Sequence, residues 1–175
     1  MHCPKCAIDL NDDFPQCPKC GFSIDDLNAA LGAPRERTGM IMDWANVVSD
    51  EGRKKLEERL QAFKTLTGGD FAIVTLETSA PRLPSEYVFW LFNRWQIGGE
   101  SHTGLLLLLS MQERRIEVEV GFALERFVTD EAAALILQHH AVPFLKAGDV
   151  DGGLFHSINL LARIIEEGLA EEKQP

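Results

Sequence analysis

The stretch Leu105-Leu106-Leu107-Leu108-Leu109-Ser110-Met111-Gln112-Glu113-Arg114-Arg115-Ile116-Glu117-Val118-Glu119-Val120 decides the fold. Five consecutive leucines form an apolar run of strand length and predict a buried strand. From Ile116 the pattern changes to strict alternation. Ile116, Val118 and Val120 point one way and Glu117 and Glu119 the other, as on a half-buried strand. The four residues Met111–Arg114 between the two runs suit a hairpin, so the strands pair antiparallel. The two glutamates read as a solvated strand face; on a sheet covered on both sides they would need partners.

Working outward, strand and helix signals alternate. Ser49, followed by Asp50 and Glu51, reads as an N-cap with acids at the positive end of a helix dipole. Leu56, Leu60 and Phe63 recur at helical spacing, and Gly68-Gly69 ends the element. Phe71–Leu76 is a β-branched, apolar strand. Pro84–Trp95 reads as a helix carrying Tyr87, Phe89, Trp90 and Phe92, and the cluster of Trp90, Phe92 and Trp95 reads as core rather than a ligand cage. On the far side of the hairpin, Thr129 caps a helix that runs toward Pro143. A last helix over Gly153–Gly168 buries Leu154, Ile158, Leu161 and Ile165. Strands separated by helices predict an α/β fold, a three-layer αβα sandwich with a mixed sheet.

A different signal occupies the N-terminus. Cys3-Pro4-Lys5-Cys6 and Cys17-Pro18-Lys19-Cys20-Gly21 are two CxxC pairs, and no other cysteine occurs. Two such turns supply the four thiolates of a closed tetrahedral Zn²⁺ site, with iron the main rival for an S₄ donor set. A thioredoxin-like redox pair would need one CxxC opening a helix after a strand, and disulfides suit a secreted chain. Residues 1–25 show no signal-peptide pattern, so structural zinc is preferred. Gly21 allows a left-handed turn after the second pair. His2 could ligate, but four cysteines already saturate the ion. Ser23 and Asp26 suit the start of a short helix. The expected organisation is a zinc ribbon with a short helix over 1–31, a linker over 32–38, the αβα domain over 39–168 and an acidic tail over 169–175. The ribbon reads as a metal-stapled docking knob, too small to fold without its ion.

Charge limits the partners. The 175 residues are 45% hydrophobic, enough for a core, and carry a net charge of −10. Residues 1–37 contain six acids and four bases, so the ribbon has no basic stripe for nucleic acid. No run of 18 apolar residues suggests a membrane span. A protein partner is the expectation. Reduced thiols and the lack of an export pattern point to the cytoplasm; the oligomeric state stays open.

Several ordered segments carry a resemblance: Asp43-Trp44-Ala45-Asn46-Val47-Val48-Ser49, Phe92-Asn93-Arg94-Trp95-Gln96-Ile97-Gly98, Gly104-Leu105-Leu106-Leu107-Leu108, Val120-Gly121-Phe122-Ala123-Leu124-Glu125, Thr129-Asp130 and Ala147-Gly148-Asp149-Val150-Asp151-Gly152-Gly153. Over residues 40–165 the chain resembles the TPM domain family. The resemblance implies an αβα sandwich, an acidic divalent-ion site in some members and phosphatase activity in a few. The family places an Asp-Asn pair before the Gly-Leu-Leu strand, where this chain has His102-Thr103. Losing a hard oxygen donor there would lower affinity for Ca²⁺ or Mg²⁺.

Read from the residues themselves, the candidate ligands of a second divalent cation are Asp43 after a short apolar start, Glu125 in the loop after the alternating strand, and Asp149 with Asp151 in a loop where glycines 148, 152 and 153 let the backbone bend closely. The structural alternatives are a helix cap for Asp149 or Asp151 and a salt bridge from Glu125 to Arg126 or Arg94. His139-His140 point about 100° apart on a helix and read as surface residues. No nucleophile elbow, P-loop or HExxH motif is present. Phosphate hydrolysis would have to rest on a carboxylate-held metal, with Arg94 as electrostatic helper. The leading expectation is a zinc-binding cytoplasmic binding or regulatory module, and the alternative is a metal-dependent phosphatase.

Overall fold

The computed structural model describes residues 3–6, 8 and 16–172. Four strands, β1 (Ile41–Asp43), β2 (Asp70–Leu76), β3 (Gly104–Ser110) and β4 (Arg115–Val120), lie side by side in that order. The β1–β2 and β2–β3 pairs are parallel, whereas β4 returns antiparallel to β3. The sheet is mixed, as the hairpin spacing predicts. Helices α1 (Ile24–Leu31), α2 (Asp50–Thr67), α3 (Pro84–Arg94), α4 (Asp130–His140), α5 (Val142–Lys146) and α6 (Val150–Glu172) complete the described fold, with short 3₁₀ turns at Gly99–Ser101 and Phe122–Leu124.

Strand parity sorts the core into two clusters. Phe71, Ile73, Leu105, Leu107, Leu109 and Val120 face Leu56, Leu60 and Phe63 of α2, Ile136 and Leu137 of α4, and Leu154, Ile158, Leu161 and Ile165 of α6. Ala72, Val74, Leu76, Leu106 and Leu108 face the opposite layer, built on Val88, Phe89, Trp90 and Leu91 of α3. The five leucines are continuous because both faces of β3 are covered. Each fully buried leucine contributes about 1.5–3 kcal/mol, so this one strand anchors both layers.

The helix signals operate through their side chains. Ser49 accepts from Gly52 N at 3.0 Å, Thr129 accepts from Ala132 N at 3.2 Å, and Ser23 with Asp26 forms a reciprocal capping box. Gly68 ends α2 at φ +73°, a left-handed position that favours glycine. Three boundaries differ from the sequence reading. Residues 41–43 form a strand too short to show alternation. Pro143 does not simply end α4 but sits in the first turn of α5, where its missing N–H costs nothing. Helix α6 starts at Val150 and runs to Glu172, beyond Gly168, so the described part of the segment read as an acidic tail is helical; residues 173–175 lie outside the described residues.

The N-terminal module is not a free knob. Cys3, Cys17, Phe22 and Leu27 are buried in the same cluster as Val88, Phe89, Trp90, Leu106 and Leu108. Phe22 meets Phe89 edge to face with ring centroids 5.9 Å apart, and Trp90 Nε1 donates to Asn28 Oδ1 at 3.0 Å. Arg82 donates to the Asp26 carbonyl at 3.1 Å. The turns that read as a docking knob pack into the layer begun by α3. The segment after α1 is held as well. Arg37 forms a bidentate pair with Asp70, both bonds 2.7 Å, and Arg35 lies 4.8 Å over the Trp44 ring while its carbonyl accepts from Trp95 Nε1. Burial alone would raise the Asp70 carboxyl, but the Arg37 bonds outweigh it and hold the group below its ordinary value.

Glu117 and Glu119 depart from a solvated face. Both are half-buried on the side of the sheet that α3 covers. Burial raises the Glu119 carboxyl well above the ordinary glutamate value, and the charges of Asp130, Glu125 and Glu117 add to the rise. Glu117 is raised by burial too, moderated by Arg115 at 3.2 Å. A carboxyl raised in the folded state costs nothing below the unfolded value, where both states are protonated, and penalises folding increasingly as pH rises through the folded value. Glu119→Gln should therefore raise the thermal midpoint at pH 7 and leave it unchanged near pH 4, as read by calorimetry of the full chain.

Candidate metal centre

Each CPKC segment forms a tight turn closed by its own backbone. Cys3 N donates to Ile8 O at 2.9 Å, and Cys17 N donates to Phe22 O at 2.7 Å. After the second turn Gly21 adopts φ +72° and its N–H returns to Cys17 O at 2.9 Å, which explains a glycine there. The turns face each other. Cys3 Sγ lies 3.7 Å from Cys20 Sγ, Cys6 Sγ lies 3.6 Å from Cys17 Sγ, and all four sulfurs fall within 4.8 Å of one another. The edge of a tetrahedron with metal–sulfur bonds of about 2.3 Å is about 3.8 Å. The donors therefore fit a closed four-thiolate metal site. They are free cysteines.

Crowding four thiols splits their acidities. Burial pushes Cys3 up to about 12. Burial acts upward on Cys17 as well, but hydrogen bonds from the backbone amides of Cys20 and Lys19, and from the Cys20 and Cys6 thiols, bring it down to about 6. Cys20 is raised: the Phe22 amide lowers it, and burial with the Cys17 and Cys6 thiols outweighs that. One thiolate thus forms near neutrality and discourages the next. A cation reverses this by taking all four as thiolates, releasing protons as it binds.

The four carboxylates separate into different places. Asp43 ends β1, its side chain only 3% exposed, and accepts from Val47 N and Val48 N at 3.1 Å each and from the Thr75 hydroxyl. Arg53 stands 3.9 Å away. Asp151, in the first turn of α6, accepts from Ser49 N at 3.1 Å and from the Ser49 hydroxyl, and it packs so closely that a Cβ at Gly52 would lie 2.2 Å from its Cγ. Asp149 caps α6 by accepting from Gly152 N at 2.8 Å. These three lie at the end of the sheet where β1 and β2 finish. Glu125 follows the Phe122–Leu124 turn at the opposite end, where Gly121 bonds to Gly104 at the start of β3. Seven strand residues, roughly 20 Å, separate the ends. His102 belongs to the Glu125 end, its carbonyl accepting from Ala123 N. Among the described residues the cysteine quartet is the group whose donors converge. His139 and His140 are exposed, Arg94 is exposed, and His2 lies outside the described residues.

Sequence reasoning did not find Thr75, Ser49 and Arg53, the partners that fix these carboxylates. Thr75 is fully buried in an apolar strand and Ser49 reads as a helix cap, so neither shows a separate signal. The signal for Gly52 is subtler: a glycine in the first turn of a helix, where no turn is needed.

A three-layer αβα domain with a four-thiolate turn pair built into one layer is the class of protein this geometry defines. The TPM domain pattern matches residues 41–164, and the chain belongs to the TPM domain family. Its fold is similar to that of the N-terminal domain of a protein from P. gingivalis (TM-score 0.70, 25% identity, covering 75% of this chain and 84% of that one). It is also similar to the N-terminal domain of the cg2496 protein from Corynebacterium glutamicum (TM-score 0.57, 18% identity, 78% and 84%). The BA42 protein from the psychrophilic bacterium Bizionia argentinensis is a third such structure (TM-score 0.58, 15% identity, 69% and 82%). No curated protein matches the chain in sequence.

Because Cys3 and Cys17 share a core with Trp90, removing an ion held by the quartet with a strong chelator should red-shift tryptophan emission and lower the thermal midpoint by roughly 5 °C or more. Cys3→Ser should act in the same direction. An unchanged midpoint would show the turns to be energetically separate from the domain. Metal affinity should fall as pH drops from 8 to 6, with calorimetric heats that depend on the buffer and report release of more than one proton.

Proposed function

We propose that this chain is a zinc-bearing, cytoplasmic binding or regulatory module of the TPM domain family. The observation behind this reading is the use of the cysteine quartet. Its sulfurs sit at tetrahedral spacing, and two of them are buried against α3, so the ion serves architecture rather than an open coordination position. Thiolate ligands suit zinc, and a site that needs all four cysteines reduced suits a reducing compartment. No helix among the described residues is long and apolar enough to cross a membrane. The net charge of −10 opposes a nucleic-acid partner and favours a protein.

A metal-dependent phosphatase is the second reading. It is favoured by family membership and by Asp43 and Asp151 bracketing the Ser49 loop outside the carboxyl ends of β1 and β2, where open α/β sheets place ligands. Against it stand the oxygens of Asp43, which are engaged by three local donors, and Glu125 at the far end of the sheet.

Elemental analysis of the purified chain should give about one zinc and negligible iron; an iron-coloured protein would change the assigned metal. Turnover of an aryl phosphate with Mg²⁺, Mn²⁺ or Ca²⁺ should stay at background. Metal-dependent turnover abolished by both Glu125→Ala and Asp149→Ala would replace the binding reading with the phosphatase one.

A further inference from the structure

The outer edge of the sheet lies in a groove. A depression of about 530 Å³ runs from Arg114 along β4 residues Arg115 to Glu119. One wall is the metal-site turn Cys3-Pro4 with Ser85 and Val88 of α3; the other is Asp130, Ala134 and Leu137 of α4. Among the described residues β4 has a strand neighbour on one side only. Gly121 N donates to Gly104 O at 2.7 Å, which fixes the parity: Glu117 and Glu119 direct their backbone groups at β3, while Ile116 and Val118 direct theirs outward. Both outward residues are half-buried rather than shielded. An edge that presents backbone donors and acceptors between two walls has the geometry of strand addition.

The side chains restrict what can be added. On the α3 side the groove shows Glu117 and Glu119, with Asp130 and Glu125 close enough to act on Glu119 electrostatically. On the α4 side it shows Ala134 and Leu137. A second copy is a poor occupant. Pairing β4 with itself in the register that matches Val118 to Val118 sets Glu117 against Glu119 of the other copy twice, and like charges directly opposite are destabilising. An uncharged strand would remove these carboxylates from water with only Arg115, 3.2 Å from Glu117, to compensate.

We propose that the β4 edge captures an extended segment of a partner protein in which basic residues alternate with β-branched apolar ones. The apolar residues pair with Ile116 and Val118 through backbone hydrogen bonds and rest on α4. The basic ones stand beside Glu117 and Glu119. The proposal rests on the binding-module reading and gives that module its partner chemistry; the metal-site turn forms one wall, so metal loading shapes the groove.

The test uses the metal-loaded full chain and a nine-residue peptide of alternating valine and lysine. The peptide should bind, and amide hydrogen exchange at Ile116 and Val118 should slow. Methylating the valine amides, which keeps every charge but removes the edge hydrogen bonds, should weaken binding at least tenfold. Replacing lysine by glutamate should abolish it. Glu117→Gln with Glu119→Gln, neutral replacements of the same shape, should weaken it at least tenfold while the protein stays folded by circular dichroism. Equal binding of the methylated peptide would reveal nonspecific charge attraction and overturn the proposal. So would absence of binding at millimolar peptide, or unchanged exchange at both residues. A peptide failure overturns the groove alone, whereas metal-dependent phosphate turnover overturns the reading it rests on.

Discussion

Everything in this fold follows from the need to cover β3 on both faces. Its leucines alternate between two clusters, and Leu105, Leu106, Leu107 and Leu108 are all inaccessible to water. Truncating one such leucine costs about 2–5 kcal/mol, a large share of a domain stability of about 5–15 kcal/mol. One face receives α2 and α6, of eighteen and twenty-three residues, together with the eleven-residue α4. The other has the eleven-residue α3 and the eight-residue α1. A single eleven-residue helix leaves that face under-covered, and the cysteine turns with Phe22 and Leu27 supply the missing apolar surface.

The same constraint governs where charge is tolerated. Inside the sheet, Asp43 survives because two amides, the Thr75 hydroxyl and Arg53 satisfy it. Asp151 survives by tying α6 to the start of α2, and the bidentate pair of Arg59 with Glu166, with Arg59 also bonding Asn159, continues that tie further along the helices. Glu117 and Glu119 are different. They occupy the α3-side face of β4 where its interior neighbours carry leucine, and they are tolerable because β4 is an edge strand with water on one flank. Edge charges of this kind keep identical chains apart. The same charges define what a compatible strand would have to bring.

How much of this was legible depended on distance along the chain. The hairpin, the capped helices and the CxxC pairs are encoded within a few residues, and the sequence reading located them. Strand β1 was not legible, because three residues are too few for a period and its pairing to β2 depends on a crossover through α2. The ends of α6 were missed because Gly152 and Gly153 read as loop; in a helix whose first turn is capped by Asp149 and whose Gly153 packs against Leu145, glycine is tolerated and sterically useful. Their loop settings grouped Asp43, Glu125, Asp149 and Asp151 as one candidate site. Their separation is a property of strand direction, which no local motif carries: Asp43 stands at the finish of a parallel strand and Glu125 beyond the finish of the antiparallel one. The docking of the cysteine turns onto α3 was hidden for a similar reason, since Phe22 and Phe89 are 67 positions apart in the numbering and neither looks unusual alone.

That docking changes what a metal ion can do here. In an isolated finger the binding free energy of a structural ion, about 10–16 kcal/mol in zinc-finger peptides, is spent on folding the finger itself. Here the folded turns also bury Cys3, Cys17 and Phe22 against α3, so ordering the turns and packing that layer are one event rather than two. A free energy of that size is comparable to the stability of a typical domain, so an ion held there would act beyond its own turns unless they could detach and leave Val88, Phe89 and Leu106 exposed to water, which their burial opposes. The wall of the β4 groove is made from the same turn. An ion held by the quartet would therefore be coupled to the packing of the α3 layer and to the shape of the sheet edge through one contiguous apolar cluster.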